Sequence, residues 1–116
     1  MRIGIDFDGT ITDNPEFFSR FTRALKHTDV VYIISSCDKR SESVLRKTTE
    51  RKKRKLREWN ISYSKLLFAL EPIPYNKARM CREHRVDVMI DDDHRNLKKI
   101  QKDCKATACL QYINKR

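Results

Sequence analysis

The sequence predicts one α/β domain whose sheet is mostly parallel and carries helices on both faces. Two observations predict this fold class. Short runs rich in apolar and β-branched residues alternate with segments of helical periodicity, which is typical of strands joined by crossover helices. A length of 116 residues is enough for one hydrophobic core and too small for two. A single domain is therefore expected over residues 1–116.

The first half of the chain predicts two strands, each followed by a helix. Residues 2–6 form a short apolar run that ends in an acid, and residues 15–26 carry apolar positions at helical spacing. Residues 30–34 are rich in β-branched side chains and predict the second strand. A long helix follows over 41–59, with Ser41 as its cap. The apolar stripe of this helix is thin and consists of Leu45, Thr48, Leu56 and Trp59.

The second half predicts three more strands and two more helices. Residues 65–70 predict the third strand, and residues 71–74 a rigid loop, because the two prolines there oppose a helix. The next helix is expected to open at Tyr75 or Asn76. The remaining predicted elements are the end of this helix near His84, a strand over 86–90, a helix over 94–102 and a strand over 105–110. The whole pattern predicts a three-layer, Rossmann-like domain with a five-stranded sheet.

The composition argues against membrane proteins and zinc proteins. No apolar stretch approaches the roughly 20 residues that span a bilayer, and the N-terminus has no signal-peptide pattern. The sequence therefore predicts a soluble, cytoplasmic protein with no membrane partner. The four cysteines include no Cys-x-x-Cys pair and are expected to be reduced and mostly buried.

Polar side chains capable of chemistry follow four of the predicted strands. They are Asp6 and Asp8 after the first strand, Ser35 and Ser36 after the second, Lys77 after the third, and Asp91 and Asp92 after the fourth. The carboxyl ends of parallel strands meet at one edge of the sheet, where ligands bind in such folds. Carboxylates gathered there repel one another unless a divalent cation bridges them, and hard oxygen ligands favour Mg²⁺. The sequence thus predicts a magnesium site at this edge.

These residues resemble the motifs of the haloacid dehalogenase superfamily. The heptapeptide Asp-Phe-Asp-Gly-Thr-Ile-Thr at 6–12 is similar to its first motif, and Ser35 to its second. Lys77 is similar to the basic third motif, and Asp91-Asp92 to the acidic fourth motif in its double-Asp form. The resemblance covers nearly the whole chain and implies a haloacid dehalogenase fold. The intervals between the motifs are short, so no cap domain is expected.

The resemblance implies a role for each residue. Asp6 would attack phosphorus to form an aspartyl-phosphate, and Asp8 would act as the general acid and base. Lys77 would neutralise the charge on Asp6 and the phosphate. Ser35 and backbone groups near Ser36 would hold the phosphoryl oxygens. Gly9 and Thr10 would bind the substrate or form the turn. Magnesium would be held by Asp6, the backbone carbonyl of Asp8 and Asp92. Asp91 would bind the metal through water or orient Lys77.

The charge of the chain is concentrated in one segment. The net charge is +10, and residues 39–57 contain ten lysines or arginines against two glutamates. This segment is either a nucleic-acid-binding surface or a solvated helical face. Residues 51–57 lie roughly 15–25 Å from Ser41 along the helix and are expected not to reach a phosphate at Asp6. Five other cations lie closer to the predicted edge and are expected to bind a second phosphate or a nucleotide, namely Lys39, Arg40, Arg79, His94 and Arg95.

The resemblance implies a magnesium-dependent phosphomonoester hydrolase that acts on a nucleotide or a phosphorylated nucleic-acid end. Without a cap, the open cleft would need a substrate that covers it or a wall from a neighbouring subunit. Two alternatives stay open. One is a phosphatase of small metabolites or proteins that works as a homo-oligomer. The other is a non-catalytic module that binds nucleic acid through residues 39–57.

Overall fold

A five-stranded parallel sheet forms the centre of the protein. The computed structural model describes residues 1–37 and 41–114, and within these residues the strand order is β3-β2-β1-β4-β5. Each neighbouring pair is parallel. The strands are β1 Arg2–Ile5, β2 Val30–Ser36, β3 Lys65–Ala69, β4 Val88–Asp91 and β5 Ala108–Gln111. The prediction of a five-stranded sheet is confirmed, and the described sheet is fully rather than mostly parallel.

Helices cover both faces of the sheet and make the protein three-layered. They are α1 Pro15–Leu25, α2 Glu42–Glu58, α3 Ile73–Glu83 and α4 His94–Asp103. One core cluster joins Phe18 of α1 and Leu56 of α2 to one face, and the other joins Ala78 of α3 and Ile100 of α4 to the opposite face. Neighbouring residues of a strand belong to different clusters, because successive side chains of a strand point to opposite faces.

Local hydrogen bonds explain where several helices begin. The side chains of Asn14, Ser41 and Asp93 accept a hydrogen bond from the first turn of α1, α2 and α4, respectively. The predicted cap at Ser41 is confirmed. The predicted start of the third helix at Tyr75 or Asn76 is wrong, because α3 begins at Ile73 with a proline in its first turn. Proline is tolerated there, since the first turn needs no N–H donor.

The carboxyl ends of β1 and β4 are held together at the centre of the sheet. The Asp6 N–H, directly after β1, donates to the Ile90 carbonyl of β4 at 2.9 Å. On the other side of β4, the Tyr112 N–H, directly after β5, donates to the Asp91 carbonyl, also at 2.9 Å. After β1 the chain makes one wide turn over Phe7–Ile11 before α1 begins. Side chains at the ends of β1 and β4 are therefore placed beside each other. No helix among the described residues is long and apolar enough to cross a bilayer.

The cysteines are free thiols, as expected, and three of the four are buried. Burial raises the pKa of Cys81 to about 12. At pH 8, we expect Cys81 to react with a disulfide reagent roughly a thousandfold more slowly than an ordinary thiol, because so little thiolate is present. Mass spectrometry of timed labelling in the native and unfolded protein measures this difference. Native labelling of Cys81 at the rate of the unfolded chain would contradict the prediction, and the half-buried Cys109 is the internal comparison.

Candidate functional site

A buried lysine joins the two central strands at the carboxyl edge. Lys77 of α3 is 1% exposed, and its Nζ donates to Asp6 Oδ1 at 2.6 Å and to Asp91 Oδ2 at 2.8 Å. Asp6 follows β1, and Asp91 is the last residue of β4. Asn96 of α4 also donates its Nδ2 to Asp91 Oδ2, at 3.2 Å. This network holds both carboxylates in place before any ligand binds.

A third carboxylate, Asp92, completes an acidic cluster. Side-chain oxygens of Asp6, Asp91 and Asp92 lie within 4.8 Å of one another. The Thr10 hydroxyl donates to Asp6 Oδ2 at 2.9 Å and lies 3.4 Å from Asp92 Oδ1. Asn114 donates to Asp92 Oδ2 at 3.2 Å. Three of the residues predicted from the sequence to ligate a metal therefore converge, whereas the side chain of Asp8 is not part of this group.

The cluster carries more negative charge than Lys77 can neutralise. Burial, only partly offset by the attraction of Lys77 and reinforced by the charge of Asp91, raises the pKa of Asp6 to about 8. Burial alone would lower the pKa of Lys77, but the charges of Asp6 and Asp91 outweigh it and raise that pKa. The lysine is thus kept charged, while Asp6 near neutral pH needs either a proton or a further cation beside it.

Gly9 makes the turn beside the acidic cluster possible. Its φ is 82°, and its N–H donates to the Thr12 hydroxyl at 2.9 Å. A Cβ at this position would lie 2.8 Å from Asp92 Cγ. The expected turn role of glycine is thereby explained twice, by the left-handed backbone and by the close approach of the Asp92 carboxylate. Thr12 accepts the Gly9 hydrogen bond within the turn, and the Thr10 hydroxyl donates to Asp6 at the start of the turn.

A second buried lysine enters the site from the middle of α2. Lys52 is 2% exposed, and its Nζ donates to the Ser35 hydroxyl at 2.5 Å, the Ser36 carbonyl at 3.1 Å and Asp8 Oδ2 at 3.2 Å. The ammonium also lies 5.1 Å from the centroid of the Phe7 ring. Asp8, Ser35 and Ser36 are therefore assembled around this lysine and not around Lys77.

The contact made by Lys52 corrects the expectation that residues 51–57 are too far from the site. Distance along a helix from its first residue does not measure distance from the sheet edge, because tertiary packing decides how the helix lies. A signal was present in the sequence: Lys52 comes four residues after Thr48 and four before Leu56, within the apolar stripe of α2. A lysine in a buried stripe indicates a partner for its ammonium group.

Two asparagines of the site carried no comparable signal. Asn96 bonds to Asp91, and Asn114 lies in the C-terminal residues that follow β5. This end of the chain is also tied down by Tyr112, whose hydroxyl donates to Asp13 Oδ2 at 2.6 Å. Neither asparagine belongs to a pattern, and only their contacts with the acidic cluster reveal them.

An open cleft of about 440 Å³ lies over the acidic cluster of Asp6, Asp91 and Asp92. The residues that line the cleft also include Asp8, Lys77, Pro72 and Pro74. A cavity of this volume is in the range of small-molecule sites.

The cations expected at the rim of the cleft have different outcomes. Arg95 lines the cleft and donates to Asp93 Oδ2 at 2.8 Å. Arg79 lies 3.8 Å from Glu83 in an exposed pair on α3. Lys39 and Arg40 lie outside the described residues. Of the three consecutive acids, Asp93 caps α4 and pairs with Arg95, so Asp91 and Asp92 are the two that face the cluster.

Two solved structures with the same fold are universal stress proteins, and a third is a hypothetical protein. One, a universal stress protein in complex with cAMP, has a TM-score of 0.64 at 8% identity, and the match covers 98% of this chain and 97% of that chain. A protein of the universal stress protein family from Burkholderia pseudomallei has a TM-score of 0.56 at 12% identity, covering 96% of each chain. A hypothetical protein has a TM-score of 0.55 at 12% identity, covering 98% of each. No family model and no curated protein matches the sequence.

These comparisons correct the family and the activity expected from the sequence. Two of these structural neighbours are universal stress proteins, so the haloacid dehalogenase assignment is wrong, and the predicted enzyme class of magnesium-dependent phosphatase or nucleotidase is wrong with it. The physical reason is that Asp, Ser and Lys collect at the carboxyl edge of many parallel sheets as turn formers, caps and ion pairs. The order of these residues along the chain therefore indicates the carboxyl edge of a parallel sheet, and it does not identify one reaction. At these identities the likeness establishes the three-layer fold alone.

Proposed function

We propose that this protein binds a nucleotide together with Mg²⁺ in the cleft at the carboxyl edge of its sheet. The observation that carries the proposal is the juxtaposition of three converging carboxylates with two buried lysines: Lys77 lines the cleft, and Lys52 bonds to Asp8 and Ser36 of its lining. Carboxylates suit the metal, and ammonium groups suit the phosphate. The function proposed is binding, without a chemical step.

The acidic cluster fits Mg²⁺ by its donor atoms. Asp6, Asp91 and Asp92 offer only hard oxygen ligands, and one lysine leaves part of their negative charge unbalanced. Mg²⁺ is commonly bound through one or two carboxylates while phosphate oxygens and water complete its shell. Asp92 is half-buried and has no lysine partner among the described residues, so it is the best placed to ligate the ion directly. Asp91 would act chiefly by holding Lys77.

Lys52 would supply the second half of the site. Its ammonium is held at the ends of β1 and β2 by Ser35, Ser36 and Asp8, and both Ser36 and Asp8 line the cleft. A phosphate next to Asp8 would gain a charge-assisted contact from this direction, while the metal neutralises the carboxylates opposite. The universal stress protein solved with cAMP supports the nucleotide as the ligand class, since it has the same fold over nearly the full chain.

Isothermal titration calorimetry of AMP, ATP and cAMP, with and without Mg²⁺, tests this function. We expect binding that strengthens with Mg²⁺, and we expect Asp92→Asn to weaken the affinity for Mg²⁺ about 100-fold or more, because a direct ligand is lost. The matched control is Glu83→Gln, which neutralises an exposed acid paired with Arg79. Equal nucleotide affinity with and without Mg²⁺ would refute the metal site, and no binding of any nucleotide would refute the function.

Lys52→Gln tests the phosphate side of the same site. Loss of a charge-assisted contact should weaken nucleotide binding roughly 10- to 100-fold, with little change for the control Lys55→Gln, whose side chain is exposed on the same helix. Circular dichroism confirms that each variant is folded. If Lys52→Gln and Lys55→Gln bind the nucleotide equally well, Lys52 has no part in the site.

A further inference from the structure

The exposed side of α2 is a dense array of cations. The exposed lysines and arginines of this helix are Arg46, Lys47, Arg51, Lys53, Arg54, Lys55 and Arg57. Only three acids lie on the helix, namely Glu42, Glu50 and Glu58. Among the described residues, no carboxylate pairs within 4.0 Å with the four cations that share one side of α2, which are Arg46, Lys47, Arg51 and Arg54. Their positive charge is therefore available to a ligand.

This array is continuous with the proposed nucleotide cleft. A shallow groove of about 390 Å³ runs along α2 and is lined by Arg46, Lys47, Arg51 and Arg54, together with Ser43 and one acid, Glu50. Arg51 also lines a second depression together with Lys52, Asp8 and Ser36. Asp8 and Ser36 in turn line the cleft above the acidic cluster. The shared residues connect the three cavities into one path from the cleft onto the basic side of α2.

We propose that this path binds a single nucleic-acid strand, with one nucleotide in the cleft and the adjoining backbone phosphates along α2. The part of the strand in the cleft rests on the proposed function. The helix α2 has 17 residues and is about 25 Å long. A mononucleotide bound in the cleft is too short to reach along the groove on this helix. A strand presents phosphates at regular intervals, which a row of guanidinium and ammonium groups matches. The ligand class is thus a polyanion with a nucleotide at its end.

A nucleic acid fits this surface better than an anionic membrane does. Helices that lie on membranes bury an apolar face in the lipid beneath their basic face. Here the apolar side of α2 is already packed against the sheet through Leu56, which is fully buried. Val44 is the large apolar side chain of α2 that stays exposed. The helix has little apolar surface left for a bilayer.

Fluorescence anisotropy with a labelled single-stranded oligonucleotide of about 12 nucleotides, measured over a range of salt concentrations, tests the proposal. The variant Arg46→Gln/Arg51→Gln/Arg54→Gln neutralises the groove. Its matched control, Lys98→Gln/Lys102→Gln/Lys105→Gln, removes three exposed cations from α4 and the loop after it. We expect the groove variant to bind the strand at least 10-fold more weakly at low salt, and the slope of log K against log salt to fall by about 2. The control should retain the wild-type slope.

The outcomes separate this inference from the proposed function. Equal losses in the groove and control variants would overturn it, since the binding would then follow net charge alone. If the wild-type protein binds the strand no more tightly than a mononucleotide, the inference is overturned. The proposed nucleotide site in the cleft would still stand. A third outcome is that Asp92→Asn binds no mononucleotide but still binds the strand through the groove. This result would support the groove as a strand site and refute the role of the cleft in strand binding. Preferential binding of phosphatidylserine vesicles over the strand would overturn it in favour of a membrane.

Discussion

Replacing Lys77 by methionine is expected to lower the free energy of unfolding by about 3–5 kcal/mol. Lys77 is the cation between two buried carboxylates, Asp6 and Asp91, at 2.6 and 2.8 Å. Methionine fills much of the same volume but leaves both acids without that partner in a poorly solvated site. Since a domain of this size is stabilised by roughly 5–15 kcal/mol, the loss is a large part of the total.

Denaturation by urea, followed by circular dichroism in the absence of Mg²⁺, measures this loss. Lys55→Met is the matched control, because Lys55 is exposed and its partner Glu58 lies at 3.8 Å; an exposed pair of this kind contributes about 0–1 kcal/mol. The double variant Lys77→Met/Asp91→Asn should recover part of the stability, since one unpaired buried charge is removed. A Lys77→Met protein as stable as Lys55→Met would show that the buried network contributes little.

Gly9→Ala is expected to damage both stability and metal binding. At φ 82°, an L-residue costs roughly 1–2 kcal/mol relative to glycine, and the new Cβ would lie 2.8 Å from Asp92 Cγ. Either the turn or the Asp92 carboxylate must move, so the affinity for Mg²⁺ should fall at least 10-fold.

Gly4→Ala separates the loss of metal binding from a general loss of stability. Gly4 lies in β1, and a Cβ there would lie 2.8 Å from Met89 Sδ and 3.0 Å from Ile34 Cδ1 in the core. Overpacking of this kind destabilises a protein by about 1–3 kcal/mol, but it does not touch the acidic cluster. Thermal unfolding and Mg²⁺ titration of both variants check the prediction. If both glycine variants bind Mg²⁺ with the wild-type affinity, Gly9 does not position Asp92.

Local patterns in the sequence were sufficient to predict the main elements of the fold. The β-branched run at the start of β2 and the periodicity of α1 describe each element by its own residues. The errors in these predictions are also local, because they concern where individual elements begin and end. Pro74 predicts a loop, although the first turn of α3 accepts it. The observed strand ends differ from the predicted ones by one to three residues.

Part of the site could also be predicted, and part could not. Asp6 follows β1, and Asp91 and Asp92 lie at the end of the neighbouring strand β4. Lys77 of α3 contacts Asp6 and Asp91, so the structure brings these residues together. The phosphatase activity attributed to them was wrong, because order along the chain does not distinguish one use of a carboxyl edge from another. The comparisons with solved structures show a fold like that of universal stress proteins, and they overturn the phosphatase assignment.

By itself, the sequence determined a parallel α/β domain, an acidic carboxyl edge and a basic α2, because periodicity, strand ends and charge are properties of neighbouring residues. Only the tertiary structure decided that Lys52 enters the site, that Asn114 holds Asp92, and that the basic side of α2 is continuous with the cleft. These contacts depend on how each helix lies across the sheet and on where the C-terminal residues return. Packing of the whole core sets both, and no local pattern encodes them.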